Sequence, residues 1–322
     1  MISKPFPKIW ALGHRHTKGI FDSPVEITEK IDGSQFGFGR SLDGDVVIRS
    51  KGREIITTGS YDKLFAPAIE QVMDLRHLIP DGVFLYGETL STPRHNVLKY
   101  NRVPEGHVAL FGVYNMEGDI FVSDWQNLST WSAVFEMEVV PLLYSGMILD
   151  IAHVEDEFTG PRDRAGATIV MNMLERESIL GGTNIEGVVV KNYAHDIMID
   201  SGQYIPMQMG KYVSEAFKEK AHPGRSDKTQ NKVGVEQLML AYKTEARWRK
   251  AVQHLRDDGK LLGEPKDIGE LIKLIKSDWY EEEKDDFKRE LFNIYSNSAQ
   301  RIIISGFPEW YKKQLALGEV QL

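Results

Sequence analysis

Apolar residues keep a period of two through the first two thirds of this chain and then change to a period near 3.6. That switch limits the folds open to it. The early runs are short: Val25–Ile31, Gln35–Arg40, Asp45–Arg49, Val83–Glu88, His107–Tyr114 and Glu186–Lys191, each bounded by Gly, Asp, Asn or Pro. Such runs read as half-buried strands between turns. Helices are expected between them at Ser60–Leu75, at Asp124–Met137 behind a Ser123 or Asp124 cap, and at Ala167–Ile179. Strands mixed irregularly with helices, instead of alternating strictly, predict an α+β fold with antiparallel sheets. The segment Lys220–Gln230 is polar and broken by Pro223-Gly224, the mark of a linker. Past it, Val235, Leu238, Met239, Tyr242 and Ala246 recur at helical spacing, as do Leu271, Ile272, Leu274 and Ile275, and then Phe287, Leu291, Ile294 and Tyr295. Two domains are expected, 1–222 mixed and 223–322 helical.

Composition adds exclusions. With 322 residues, 42% hydrophobic and 27% charged, the chain reads as an ordinary globular protein. No apolar run approaches the roughly 20 residues that span a bilayer, and Met1–Pro5 lacks the apolar stretch of a signal peptide. Without cysteine there is no disulfide framework, thiolate metal site or cysteine nucleophile. A cytoplasmic setting without a membrane partner is expected. The net charge of −8 argues against indiscriminate coating of nucleic acid but leaves room for a local basic groove.

One lysine is placed by this pattern. In Thr28-Glu29-Lys30-Ile31-Asp32-Gly33-Ser34, Lys30 ends an apolar-alternating run directly before an Asp-Gly turn. Its amine is therefore held over whatever pocket the strand borders, a placement that suits a covalent nucleophile as well as a surface lysine beside a hairpin. Basic residues follow at a strand end (Arg49, Lys51, Arg53), then a carboxylate leaving a strand (Glu88), an aromatic within one (Phe111), a strand opened by Glu186 and closed by Lys191, and last Lys211. Strict alternation puts Glu186 and Lys191 on opposite faces unless a bulge or strand end intervenes.

In this order the segments resemble the covalent nucleotidyltransferases, the superfamily of ATP-dependent DNA and RNA ligases and mRNA capping enzymes, and within it the RNA ligase 2 branch. The resemblance runs from about Ile27 to Lys220. It implies a nucleotidyltransferase (ATP-grasp-like) core of antiparallel sheets flanked by helices, followed here by a smaller all-helical C-terminal domain. It further implies that Lys30 attacks the α-phosphate of ATP, leaving lysyl-AMP and releasing pyrophosphate. AMP would then pass to an RNA 5′-phosphate, and a 3′-hydroxyl would displace it. Lys191 and Lys211 would supply positive charge at the phosphates and depress the pKa of Lys30. Glu186 would hold Mg2+ (or Mn2+), Glu88 the ribose hydroxyls and Phe111 the adenine face. The backbone of the Glu29, Ile31 and Gly33 stretch would border the nucleotide, and one of Arg49, Lys51 and Arg53 would contact phosphate. The expected partner is RNA with 3′-OH and 5′-phosphate ends, nicked or duplex, and the chain is expected to be a monomer.

The alternatives are a DNA nick ligase on the same core and an RNA-end-binding protein without catalysis. DNA ligases and capping enzymes normally follow the core with a β-rich OB domain, so the helical C-terminal part favours RNA. Relatives in the RNA ligase 2 branch usually carry Lys-x-Lys in the last motif. Met209 takes the first of those positions here, leaving Lys211 alone or with help from Lys218 or Lys220. Arg225-x-Asp227-Lys228, His14-x-His16, Gly37-Phe38-Gly39 and the acidic run Glu281–Asp286 each imitate a functional motif, and each reads better as linker, loop contact, strand and solvated helix face.

Overall fold

The computed structural model describes residues 4–55, 63–148, 169–198, 204–205, 207–214 and 231–317. The expected helix starts at Ser60 and Ala167, the Lys220–Gln230 linker with its Arg225-x-Asp227-Lys228, and Lys218 and Lys220 lie outside the described residues.

Two sheets dominate the first part. One runs in the order β1 (Trp10–Ala11), β14 (Gln208–Val213), β11 (Gly187–Asn192), β2 (Val25–Lys30), β10 (Leu142–Gly146). The other runs β5 (Glu54–Ile55), β4 (Val46–Ser50), β3 (Ser34–Arg40), β6 (Val83–Thr89), β7 (Val108–Asn115), β8 (Ile120–Val122), with β9 (Glu138–Val139) also on β7. A small ribbon pairs β12 (Ile197–Met198) with β13 (Tyr204–Ile205). Neighbouring strands are antiparallel except β1 with β14 and β7 with β9, so the expected α+β class with antiparallel sheets holds.

Alternation sorts the side chains. In the second sheet Phe36, Phe38, Ile48, Leu85 and Leu110 point to one face and pack with Phe65, with Ile69 and Val72 of α1 (Ala66–Leu75) that follows it, and with Leu128 and Phe135 of α2 (Trp125–Phe135). Asp124 caps α2 by accepting from the Asn127 amide at 2.9 Å. In the first sheet Val25, Ile27, Val188 and Val190 share a core with Leu12, Ile20 and Phe21. The opposite faces of the two sheets meet where Met207 and Met209 pack with Phe84, Tyr86 and Tyr114. The third expected helix is seen over 169–173 and gives way to turns before Ile179.

Beyond residue 230 the chain is helical: α3 (Asn231–Ala241), α4 (Glu245–Asp257), α5 (Ile268–Ile304) and α6 (Phe307–Leu317). Compact units do not follow the chain in two blocks: residues 1–218 form one with 249–271, and 219–248 form another with 272–322. The polar segment expected near residue 222 therefore does not separate the units completely. In the second unit Tyr242 packs edge-on to Trp279 and Phe287. There Arg247, 2% exposed in its side chain, is held by Asp278 at 3.3 Å and Glu283 at 2.9 Å. Glu283 thus leaves the solvated acidic face expected of Glu281–Asp286, because a buried guanidinium needs its charge. Among the described residues no helix is long and apolar enough to cross a membrane.

Candidate active site

Register places the reactive groups. Lys30 lies opposite Gly187, Thr28 opposite Val189 and Glu26 opposite Lys191, while Val189 lies opposite Lys211 and Lys191 opposite Met209. Residues directly opposite share a face. Lys30, Lys191 and Lys211 therefore stand on one face of the first sheet, turned away from its aliphatic core.

The facing side of the second sheet carries Gln35, Gly37, Arg49, Tyr86 and Glu88, since Gln35 pairs with Glu88 and Gly37 with both Tyr86 and Arg49.

Glu186 precedes β11 by one residue and so escapes its alternation. Its carboxylate receives the Lys30 Nζ at 2.6 and 2.7 Å. Burial pulls the Lys30 amine down, but the charges of Glu186 and Glu88 outweigh it and the net shift is upward. This corrects the expected depression by Lys191 and Lys211: the carboxylates dominate. Burial is also the first cause raising Glu186, with Lys30 opposing. Glu88 is pushed to about 8 by burial, against the opposing charge of Lys30. Lys211 lies close enough to lower Glu186.

Lys191 is placed differently. Its side chain is 2% exposed, and Nζ donates to the carbonyls of Phe111 at 3.1 Å and Ser123 at 2.9 Å. Burial lowers it to about 8. Its ammonium ties the two sheets together at the Met209 end. Met209 is itself 2% exposed core, so the position where the resemblance leads one to expect a lysine is apolar here.

Phe111 is the extra residue of a bulge, because Tyr86 pairs with Gly112 while Gly87 pairs with Leu110. A bulge re-aims a side chain out of strand alternation. Phe111 leaves the helix-covered face and packs half-buried against both the Phe6–Tyr86 cluster and the Ile31–Leu90 cluster.

The motif around Lys30 is fixed on all sides. Glu29 accepts from Ser178 Oγ at 2.5 Å and the Ile179 amide at 3.1 Å, and its own amide donates to Pro141 O. Ile31 is core. Asp32 accepts from the Val97 and Leu98 amides, both at 2.8 Å. Gly33 has no room for a side chain: a Cβ would stand 2.6 Å from Thr89 O and 2.8 Å from Glu88 Cγ.

The three basic candidates separate. Arg49 is 6% exposed on the Glu88 face, and burial lowers its guanidinium with Tyr86 and Glu54 opposing. Lys51 is exposed and meets His254 Nε2 at 3.2 Å. Arg53 lies beside Gly259. Arg40 is bound to carbonyls of Ile79, Gly44 and Arg76 at the far end of β3.

Sequence reasoning missed two groups. Gln35 has a buried Nε2 without a hydrogen-bond partner among the described residues, on the Glu88 face; alternation from Phe36 would have pointed there. The other is a polar cluster from residues 253–257. Ser34 Oγ lies 2.8 Å from Asp257 Oδ1 and 3.0 Å from His95 Nε2, and Gln253 donates to Gly33 O at 2.7 Å.

A family model described as RNA ligase matches residues 23–212, more than half of the chain. The chain belongs to the RNA ligase family. No curated protein matches it. Among solved structures it is similar to the Naegleria gruberi RNA ligase with PPi, at 18% identity and a TM-score of 0.45 over 67% of this chain and 57% of that one. A variant of the same ligase with ATP and Mn gives 16% identity and 0.43 over the same shares. The chain thus corresponds to under two thirds of the length of these structures.

Proposed function

We propose that this member of the RNA ligase family is an ATP-dependent RNA ligase that works through a covalent AMP on Lys30. The observation that carries this reading is the Lys30 amine at a strand end, bonded to Glu186 beside Glu88, on the face it shares with Lys211.

In the first step Lys30 Nζ bonds to the α-phosphorus of ATP, the bond to the bridging oxygen breaks, and its electron pair leaves with pyrophosphate. The nitrogen loses its protons to solvent, which the 29%-exposed side chain reaches. Such a transfer depends on in-line positioning and charge stabilisation. Lys211 and Arg49 supply charge to phosphate oxygens. Phe111 offers adenine a flat face, Glu88 takes the ribose hydroxyls, and Gln35 Nε2 donates to the nucleotide.

A divalent cation fits this donor set. Glu186 and Glu88 are held above the usual carboxylate range by burial, which marks a site short of positive charge. Among the described residues no group of three or more candidate ligands stands together, and Mg2+ or Mn2+ bound by Glu186 with phosphate oxygens and water needs none. A cation held by Glu186 would supply charge neutralisation and would offset the carboxylate that raises Lys30. Lys191 serves by holding the Phe111 strand to the first sheet.

The remaining steps carry AMP to an RNA 5′-phosphate and join the 3′-hydroxyl end. Incubation with α-labelled ATP and Mg2+ should label the wild type and not Lys30→Ala, and nicked RNA should then be sealed with loss of AMP. Equal or faster sealing of an all-DNA nick would overturn the choice of RNA, and absence of label on the wild type would overturn the mechanism.

A further inference from the structure

The turn that follows Lys30 is held from a place far away in the sequence. Gly33 O accepts two bonds, from Asn96 Nδ2 at 2.6 Å and from Gln253 Nε2 at 2.7 Å, the second across 220 residues. The Ser34 hydroxyl is also fully used. His95 Nδ1 accepts from the Ser91 amide at 3.2 Å, so Nε2 carries the ring proton and donates to Ser34 Oγ, which in turn donates to Asp257 Oδ1. Ser34 is 0% exposed and its proton faces a carboxylate instead of a basic nitrogen. The trio is therefore no nucleophile–base pair; it fixes geometry.

The loop that shares this task depends on the same helix end. Arg256 bonds Asn96 Oδ1 and reaches His95 O at 3.4 Å, so the two loop residues bonded to Gly33 and Ser34 are braced by α4. The helix end is itself rigid. The Gly259 amide donates to Arg256 O and the Lys260 amide to Leu255 O, with Gly259 at φ +65°, the paired bonds of a Schellman stop. That stop seats Asp258 and Gly259 against the β4–β5 turn, where a Cβ on Gly52 would lie 2.3 Å from Asp258 Oδ1. One helix end thus grips both the turn carrying Lys30 and the turn following Arg49.

We propose that the C-terminal end of α4, through Gln253, Arg256 and Asp257, is a positioning element for the Lys30 amine. The inference rests on the ligase reading, in which Lys30 must meet the α-phosphorus in line. A shift of about 1 Å at such an amine lowers the covalent step roughly 100-fold. Residues that only stabilised the fold would leave the rate per folded molecule unchanged.

Single-turnover labelling with α-labelled ATP and Mg2+, at saturating ATP and at a temperature where circular dichroism shows each variant folded, tests this. Asp257→Ala is expected to slow labelling about 10- to 100-fold, with half-saturating ATP within about threefold of wild type. Asp257→Asn, whose Oδ1 still accepts from Ser34, should recover most of the rate. Gln253→Ala should slow it about fivefold, and decides alone if Asp257→Ala does not fold. Wild-type rates in the folded variants, with the wild type itself labelled, would overturn this inference only. A wild type that takes no label would overturn the ligase reading and the inference with it.

Discussion

Lys30 and Lys191 stand on the same sheet face, one opposite Gly187 and the other opposite Glu26, about 13 Å apart along the strand. Their surroundings are opposite. Lys30 meets a carboxylate, keeps part of its side chain in solvent and is shifted upward. Lys191 meets two neutral carbonyls, is closed off from solvent and is lowered to about 8. Judged by pKa alone Lys191 would be the better nucleophile. Geometry reverses that choice, because a buried amine bonded to two carbonyls cannot approach a phosphate. In Lys30 the charge partner is a side chain, which the proposed substrate and cation would displace; in Lys191 it is the backbone.

The largest expected effect comes from removing that displaceable partner. Glu186→Gln should slow self-adenylylation about 100-fold or more. It should also move the rising limb of the residual pH–rate profile to lower pH, since the anion that raises Lys30 is gone. A residual profile unmoved in pH would break the contrast between the two lysines.

Arg49→Ala and Lys51→Ala sharpen the facing side. Losing Arg49 should slow labelling about tenfold, while Lys51→Ala stays within about twofold. Equal losses would mean that the turn, and not the strand face, reads the phosphates.

Lys191→Met should leave AMP transfer within roughly tenfold but lower unfolding free energy by about 1–3 kcal/mol in urea titrations, because two buried carbonyls lose their donor.

A smaller effect is a pH slope. Folded Glu88 keeps its proton to about pH 8 and the unfolded group only to about 4.5. Between those values the native state binds more protons, so stability falls as pH rises. The slope is at most about 1.4 kcal/mol per pH unit, and Glu88→Gln should flatten it.

Much of this was legible in the sequence, for a local reason. Period-two runs and Asp-Gly punctuation are short-range signals; they located β2 and β11 of the first sheet and β3, β4, β6 and β7 of the second, and set Lys30 at the end of one. Glu186 could be seen only as ambiguous, because one residue decides whether it obeys strand alternation. Phe111 was readable as a strand aromatic but not as a bulge, which depends on the register of β6 beside it. Lys191 gave no sign of its carbonyl partners, which lie 68 and 80 residues away in sequence. The general expectation of a helical C-terminal part covered Gln253–Asp257 but carried nothing about Gly33 and Ser34, since a hydrogen bond across the fold leaves no repeat in the chain. Arg49 separated from Lys51 and Arg53 only once β4 was seen to end at Ser50.

The most direct measurement is the site of AMP attachment. The protein is incubated with ATP and Mg2+, digested at alkaline pH to preserve the phosphoramidate, and mapped by mass spectrometry. The account predicts one AMP, on the peptide containing Lys30, and none on any peptide of the Lys30→Ala variant. AMP on Lys191, or undiminished modification of Lys30→Ala, would contradict it.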